Sequence, residues 1–318
     1  MIYWGINALN HGSSLAVFKD GRLTSWKTSQ EEELPRNFIR NQLDHGAPEK
    51  IFWYERPWVK KARQVFAGQY NTALDMSSLP RKNLKEWSLH YAPVTYTPHH
   101  ASHAAAGYYT SPFNHCAVVV LDAIGEFECA TIWEGKHGEL KKVWSRSYPH
   151  SLGLFYSAFT QFVGLTPIKD EYLLQKMAEQ GNGQRFLEYI RSYFDHGEAL
   201  NLNTNFHRGV LHWDHNEPTT LQEQCDLAAA VQTVFEEQVQ RVMQTAKQLT
   251  NTDCLVYMGG CAMNSAANKK IVEPLFEYRW SLPNPGDPSS SIGAVLYHTK
   301  QRVWDYKWDP IKHIEINV

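Results

Sequence analysis

The chain has 318 residues, 43 % hydrophobic and 20 % charged, a globular composition for one large domain or two closely packed lobes and not a disordered or fibrous one. Its net charge is −2, with Lys+Arg 31 against Asp+Glu 33, so no global basic field marks a nucleic-acid partner, although a local basic groove stays open. Five scattered cysteines form no CxxC pair, and neither a secretory leader nor the roughly 18 apolar residues of a membrane span stands out, so a zinc ribbon and a disulfide frame are not expected and a cytoplasmic setting is the simplest.

Taken in order, the opening "IYWGINALNHGSSLAVFKDGRLTSWKTS" reads as three strands. Residues 13–18 are strand-like, Asp20-Gly21 is a hairpin signal, and residues 22–26 follow. "IFWYERPW" reads as a strand end and loop, and "KKARQVFAGQY" as helical. The segment "TPHHASHAAAGYY" marks a helix start. An apolar strand at 117–121 then meets a polar turn at 122–126, a second strand at 127–133, a glycine turn at 135–138 and a third strand. This repeats the opening layout about 110 residues later, which predicts a duplicated α/β unit. Leu227, Val231, Val234, Phe235, Val239 and Val242 recur at helical spacing and predict a long helix over 225–250. "DCLVYMGGCAMNSAANKKIVE" reads strand, Gly-Gly turn, helix, and a last helix begins near Ser290. The polar and aromatic tail after Arg302 carries no placement.

Four features carry chemistry. His99 and His103, at i and i+4, lie on one helix face, where two neutral imidazoles can hold one divalent metal. Residue 100 is His and not Glu, so the zinc-protease HExxH motif is absent, and the spacing alone equally allows solvated histidines at a helix start. Asp122 ends an apolar strand, where α/β folds present ligand groups, or simply caps a turn. Asp287 precedes a helix, as a cap or as a second carboxylate. Two His with two Asp would make a mixed N/O site suited to Fe(II), Mn(II) or Zn(II). Gly259-Gly260 between strand and helix would let backbone N–H groups approach an anion, or form a mere tight turn. His11, in the first hairpin turn, is a proton acceptor if it faces a cleft and a plain turn residue otherwise.

Together the order HGSS, HHxxH, LDxxGE, SLGLFYSAFT, GGCAMNSAAN and GDPxxxIGA resembles the O-carbamoyltransferases that tailor nodulation factors and antibiotics. Their main domain is similar to the tRNA threonylcarbamoyl-transfer enzyme. The resemblance, over about residues 1–300, implies the duplicated actin-like, sugar-kinase-like (ribonuclease H-like) fold with two lobes around a central cleft. It places the lobes at residues 1–114 and 115–318, the second including the last helix and tail. It implies His99, His103, Asp122 and Asp287 as metal ligands, with Fe(II) first and Mn(II) or Zn(II) next. Gly125, Glu126, Gly259, Gly260, Asn264 and Ser289 become nucleotide-binding candidates, and His11 the catalytic base.

The implied reaction moves a carbamoyl group from carbamoyl-adenylate or carbamoyl phosphate to an acceptor hydroxyl, with ATP as the nucleotide source. The acceptor is a small molecule, such as a sugar hydroxyl, or a nucleic acid, such as a hydroxymethylated pyrimidine. The basic segments "RPWVKKARQ" and "PRKNLK" are candidates for phosphate contacts or plain solvated surface. Larger family members carry an adenylate-forming domain for which 318 residues leave no room, so the expectation is that either a separate protein supplies the adenylate or this domain uses carbamoyl phosphate differently. Other departures are Ala123 and Ser289 where glycines are usual, "EEELPRNF" for a more basic segment, and a shifted Lys176. Two rival readings remain: an ATPase or kinase-like protein of the same fold, and a non-catalytic binding subunit.

Overall fold

The twice-read meander forms two five-stranded sheets in the computed structural model, which describes residues 1–303 apart from 45 and 196. The tail from 304 onward lies outside the described residues. The first sheet holds β1 (Ile2–Asn10), β2 (Gly12–Lys19), β3 (Arg22–Ser29), β4 (Lys50–Trp53) and β5 (Val94–Tyr96), in the order β3-β2-β1-β4-β5. The second holds β6 (His115–Gly125), β7 (Glu128–Lys136), β8 (Glu139–Ser147), β9 (Cys254–Met258) and β10 (Tyr278–Trp280), in the order β10-β9-β6-β7-β8. In each, the first three strands form an antiparallel meander, and the last two join parallel to the first. Strand for strand the two sheets match. This is a duplicated α/β fold, as the repeated meander in the sequence predicts.

Local chemistry explains the repeat. The β2–β3 turn has φ of 48° at Asp20 and 78° at Gly21, and the β7–β8 turn has 50° at His137 and 83° at Gly138. Two left-handed residues in a row are what a tight hairpin with matching twist requires. Cys116 to Leu121 of β6 are all fully buried, because alternate side chains enter different cores. Ala117, Val119 and Leu121 meet a long helix, Leu221–Thr250, while Val118 and Val120 face the first sheet's side. A strand covered on both faces has to be apolar throughout. The long helix starts four residues before the reading above, since Thr220 and Glu223 form a reciprocal capping box ahead of its apolar stripe.

Two helices fill the space between the sheets: the histidine helix, His99–Thr110, whose residues are all buried, and a closing helix, Ser290–Thr299. They cross closely. A Cβ on Gly293 would stand 1.6 Å from the Ser102 carbonyl oxygen, so only glycine permits this approach. The segment after β9 departs from the single helix read there. A 3-10 turn (Gly260–Met263) comes first, and Asn264 then caps an irregular helical run, accepting from the Ala267 N–H at 3.0 Å. No helix among the described residues is long and apolar enough to cross a membrane.

Candidate metal centre and its surroundings

β1 runs parallel to β4 and β6 to β9, and their carboxyl ends carry Asn10, Glu55, Asp122 and the Gly259-Gly260 turn. The histidine helix starts at this carboxyl edge, beside Glu55 and Asp122. The close helix crossing sets Asp287, in the turn Asp287–Ser289, over it. One ligand atom from each of His99, His103, Asp122 and Asp287 lies within 4.8 Å of all the others. His99 Nε2 is 3.1 Å from His103 Nε2, and 3.3 Å from both Asp122 Oδ2 and Asp287 Oδ1. His103 Nε2 is also 3.3 Å from Asp287 Oδ1 and 4.0 Å from Asp122 Oδ2.

These separations fit a divalent ion. Ligands bonded at about 2.0–2.2 Å around one ion stand about 3–3.5 Å apart. The two Nε2 atoms, 3.1 Å apart, share a proton between them in the ion-free protein, and a divalent ion would take its place. The histidines are buried, at 1 % and 0 % exposure, while the carboxylate side chains keep 12 % and 11 %, so the site opens on its oxygen side. That burial overturns the alternative of solvated histidines at a helix start. His100 turns away: its Nδ1 lies 3.1 Å from the Thr131 hydroxyl, and burial, then His99, push its pKa well below the ordinary histidine value.

Charge within the cluster is balanced internally. Burial pulls His99 down, but Asp287, Asp122 and Glu55 outweigh it and hold it well above the usual histidine value. Burial pushes Asp122 up, yet His99 and His103 bring its carboxyl down to about 2, and they hold Asp287 well below the usual range. Two supporting groups escaped the sequence reading. Asn10 donates from Nδ2 to Asp287 Oδ2 at 3.3 Å, and buried Glu55 sits 3.9 Å from His99 Nδ1 and accepts from Lys60 at 2.8 Å. Such partners orient ligand side chains. The "YERPW" carboxylate right after a buried strand was the signal for Glu55; nothing in the sequence marked Asn10.

The nucleotide candidates sit around this edge. Gly259 has φ 92°, and a Cβ there would meet Leu121 O at 2.2 Å. The Gly260 N–H donates to Asp122 Oδ1 at 3.1 Å, so this turn holds a carboxylate in place. Gly125 lies under the histidine rings, where a Cβ would come 2.3 Å from His99 Cδ2. Glu126 is buried and paired with the Arg56 guanidinium and backbone N–H. Asn264 exchanges hydrogen bonds with Gln232 at 3.0 and 3.1 Å. The Ser289 hydroxyl is buried and donates to Gly286 O at 2.9 Å, tightening its turn. Ser151 likewise donates to Ala123 O at 2.6 Å, steadying the turn that begins at Asp122. His11 is exposed on the β1–β2 turn, beside Asn10. The basic "RPWVKKARQ" segment turns largely inward: Lys60 pairs with Glu55, Lys61 donates to Thr72 O, and Arg63 is buried.

Residues 61–296 match the family model described as the Carbamoyltransferase N-terminus. Among curated proteins, sll1178 of Synechocystis sp. is 27 % identical over 350 residues, covering 92 % of this chain and 56 % of the relative. Nodulation protein NolNO of Sinorhizobium fredii is 24 % identical, covering 94 % of this chain and 48 % of that one. Nodulation protein NolO of Bradyrhizobium diazoefficiens is 25 % identical, covering 67 % and 41 %. The chain thus spans about half the length of the curated relatives it matches. Among solved structures, component A of the Acidaminococcus fermentans (R)-2-hydroxyglutaryl-CoA dehydratase is 11 % identical with a TM-score of 0.49, covering 94 % of this chain and 99 % of that one. A likeness at that level carries no functional reading. The family model covers well over half of the sequence, and on that ground the chain belongs to the Carbamoyltransferase N-terminus family.

Proposed function

We propose that this chain is a metal-dependent O-carbamoyltransferase, moving a carbamoyl group from carbamoyl-adenylate or carbamoyl phosphate to an acceptor hydroxyl. The observation that carries the reading is the convergence of His99, His103, Asp122 and Asp287 within 4.8 Å, in a chain of this family. A divalent ion held there, Fe(II) first and Mn(II) or Zn(II) next, supplies Lewis-acid stabilisation to the donor's phosphoryl oxygens and so improves the leaving group. The chain's own residues do the rest. Asn10 and the Gly260 N–H hold the two carboxylates in position, and the Glu55 charge faces His99 Nδ1 from 3.9 Å. Gly125 and Gly259 let the two turns pack tightly against the His99 ring and the Leu121 backbone, and Glu126, Asn264 and Ser289 brace the loops that would surround the nucleotide. His11 takes the proton from the acceptor hydroxyl as its oxygen attacks the carbamoyl carbon, which releases AMP or phosphate. Docking donor and acceptor at one edge lowers the entropic part of the barrier.

The test is a mass screen of the metal-loaded protein with carbamoyl-adenylate, or with carbamoyl phosphate and ATP, against sugars, nucleotides and DNA bearing free hydroxyls. A product one carbamoyl group heavier is expected, in an amount that falls when the metal is removed. No carbamoylated product from any donor, the adenylate included, would overturn the reading.

A further inference from the structure

A cavity of about 250 Å³, separate from the four-ligand cluster, is lined by Gln69, Tyr148, Asn205, His207 and Arg208 among others. Behind it stands Arg63, which is buried and donates from Nε to the Glu126 carbonyl at 3.2 Å and from Nη1 to Gln69 Oε1 at 2.8 Å. Among the described residues, no carboxylate lies within 4.0 Å of Arg63 or Arg208. The cavity wall carries no Asp or Glu. A guanidinium taken out of water without a counter-charge is costly, and a charged ligand offsets that cost.

Hydrogen-bond direction sharpens the point. Arginine only donates, so Gln69 Oε1 must accept and its Nε2 must donate onward. That Nε2 is 3.2 Å from His207 Nε2, which therefore accepts. His207 then carries its proton on Nδ1 and donates to the Tyr148 hydroxyl at 3.2 Å. Burial, with Arg63 and Arg208 nearby, lowers the His207 pKa, consistent with this neutral form. Asn205 also donates to the Tyr148 oxygen, at 2.7 Å. The tyrosine oxygen is thus filled as an acceptor and its own proton is free to point into the cavity. Arg208 adds a guanidinium 3.4 Å from where a Cβ on Gly68 would sit. The wall offers donors and positive charge, and its acceptors are already engaged.

We propose that this cavity binds a phosphate-type oxyanion through Arg208 and the Tyr148 hydroxyl, with the buried charge of Arg63 behind the Gln69 wall. A tetrahedral acceptor-only anion is the complement of a planar guanidinium and a hydroxyl donor backed by a second positive charge. Arg63 links the cavity wall to the Asp122–Glu126 turn, since it donates to both Gln69 Oε1 and the Glu126 carbonyl. Its source is either a phosphate carried by the acceptor or free orthophosphate. The assignment to an acceptor rests on the transfer reading; the binding itself does not.

The experiment is calorimetric titration of the metal-free full chain with inorganic phosphate, thymidine 5′-monophosphate and thymidine, which requires neither donor nor transfer. Phosphate and the monophosphate should bind competitively and thymidine alone should not. Arg208→Gln, at an exposed position, should weaken both by about tenfold or more, and Tyr148→Phe by several-fold. His103→Ala should leave phosphate binding intact, separating this cavity from the metal centre. Thermal melts of each variant check that it folds. A monophosphate that binds more tightly than phosphate assigns the anion to the acceptor, and equal affinity assigns it to orthophosphate. No phosphate binding at about 10 mM, or binding undiminished in both cavity variants, overturns the proposal, whatever the outcome of the carbamoylation screen.

Discussion

The two copies of the meander share a strand order but not a use. In each, the register slips where the first strand turns into the second, between Asn7 and Asn10 in one copy and between Leu121 and Gly125 in the other. In the first copy the slip leads to an exposed turn tipped by His11. In the second it bends inward: Asp122 joins the histidines, Gly125 underlies their rings, and Glu126 is buried against Arg56. A bulged strand end is a way to re-aim side chains. Here the same backbone device leaves His11 exposed in one copy and brings Asp122 beside the two histidines in the other. Asn10 ties them together through Asp287.

The largest expected effect breaks the second copy's edge. His103→Ala removes one of two buried imidazoles and should lower metal affinity by at least about 100-fold, with transfer falling to background. Metal analysis of the dialysed protein, beside the mass assay, checks it; full metal occupancy in the variant would contradict the four-ligand centre. Next comes the first copy. His11→Ala should lower kcat by about 10²–10⁴-fold while metal content and melting temperature stay near wild type, since the side chain is exposed. Undiminished transfer would return His11 to a plain turn residue.

The pH dependence is set by His99. The carboxyls of Asp122 and Asp287 are held low enough to be ionised at any working pH and contribute no slope there. His99 is held above the ordinary histidine value in the ion-free protein, against the pull of burial and by Asp287, Asp122 and Glu55. Its raised pKa stabilises the ion-free fold below the ordinary value, and that contribution is lost as pH rises through the raised one. A metal needs the imidazole neutral, so its affinity should rise with pH over the same window, by up to about tenfold per unit for one proton released. Titrations across pH 6 to 9 that showed flat metal affinity would mean that the bound state keeps the proton.

Much of this edge was legible in the sequence because it depends on strand ends and helix spacing. His99 and His103 are one helical turn apart, and Asp122 closes an apolar run. The duplicated fold was legible for the same reason: Asp20-Gly21 and His137-Gly138 punctuate equivalent hairpins. What was not legible depends on side chains from distant segments meeting. Asn10 reaches Asp287 across the helix crossing, the Gly260 N–H turns toward Asp122, and the Arg63–Gln69–His207–Tyr148 chain spans three separate segments. The placement of the basic "RPWVKKARQ" stretch stayed open for a related reason. Composition counts its charges, but only packing shows that Lys61 and Arg63 point inward.

The smallest predicted effects come from glycines of the second copy. Gly125→Ala would press a methyl group against His99 and His100, at 2.3 and 2.6 Å before relaxation. It should cost about 1–3 kcal/mol and also weaken metal binding, because the ring that gives way is a ligand. Gly138→Ala has no neighbour within 4 Å and only a φ of 83° to contend with. It should cost about 1 kcal/mol through backbone strain and leave metal affinity unchanged. Chemical denaturation paired with metal titration separates steric from conformational cost. If both variants lost stability equally and neither lost metal, the rings above Gly125 would be free to move, and the inward turn would not be what holds the histidines in place.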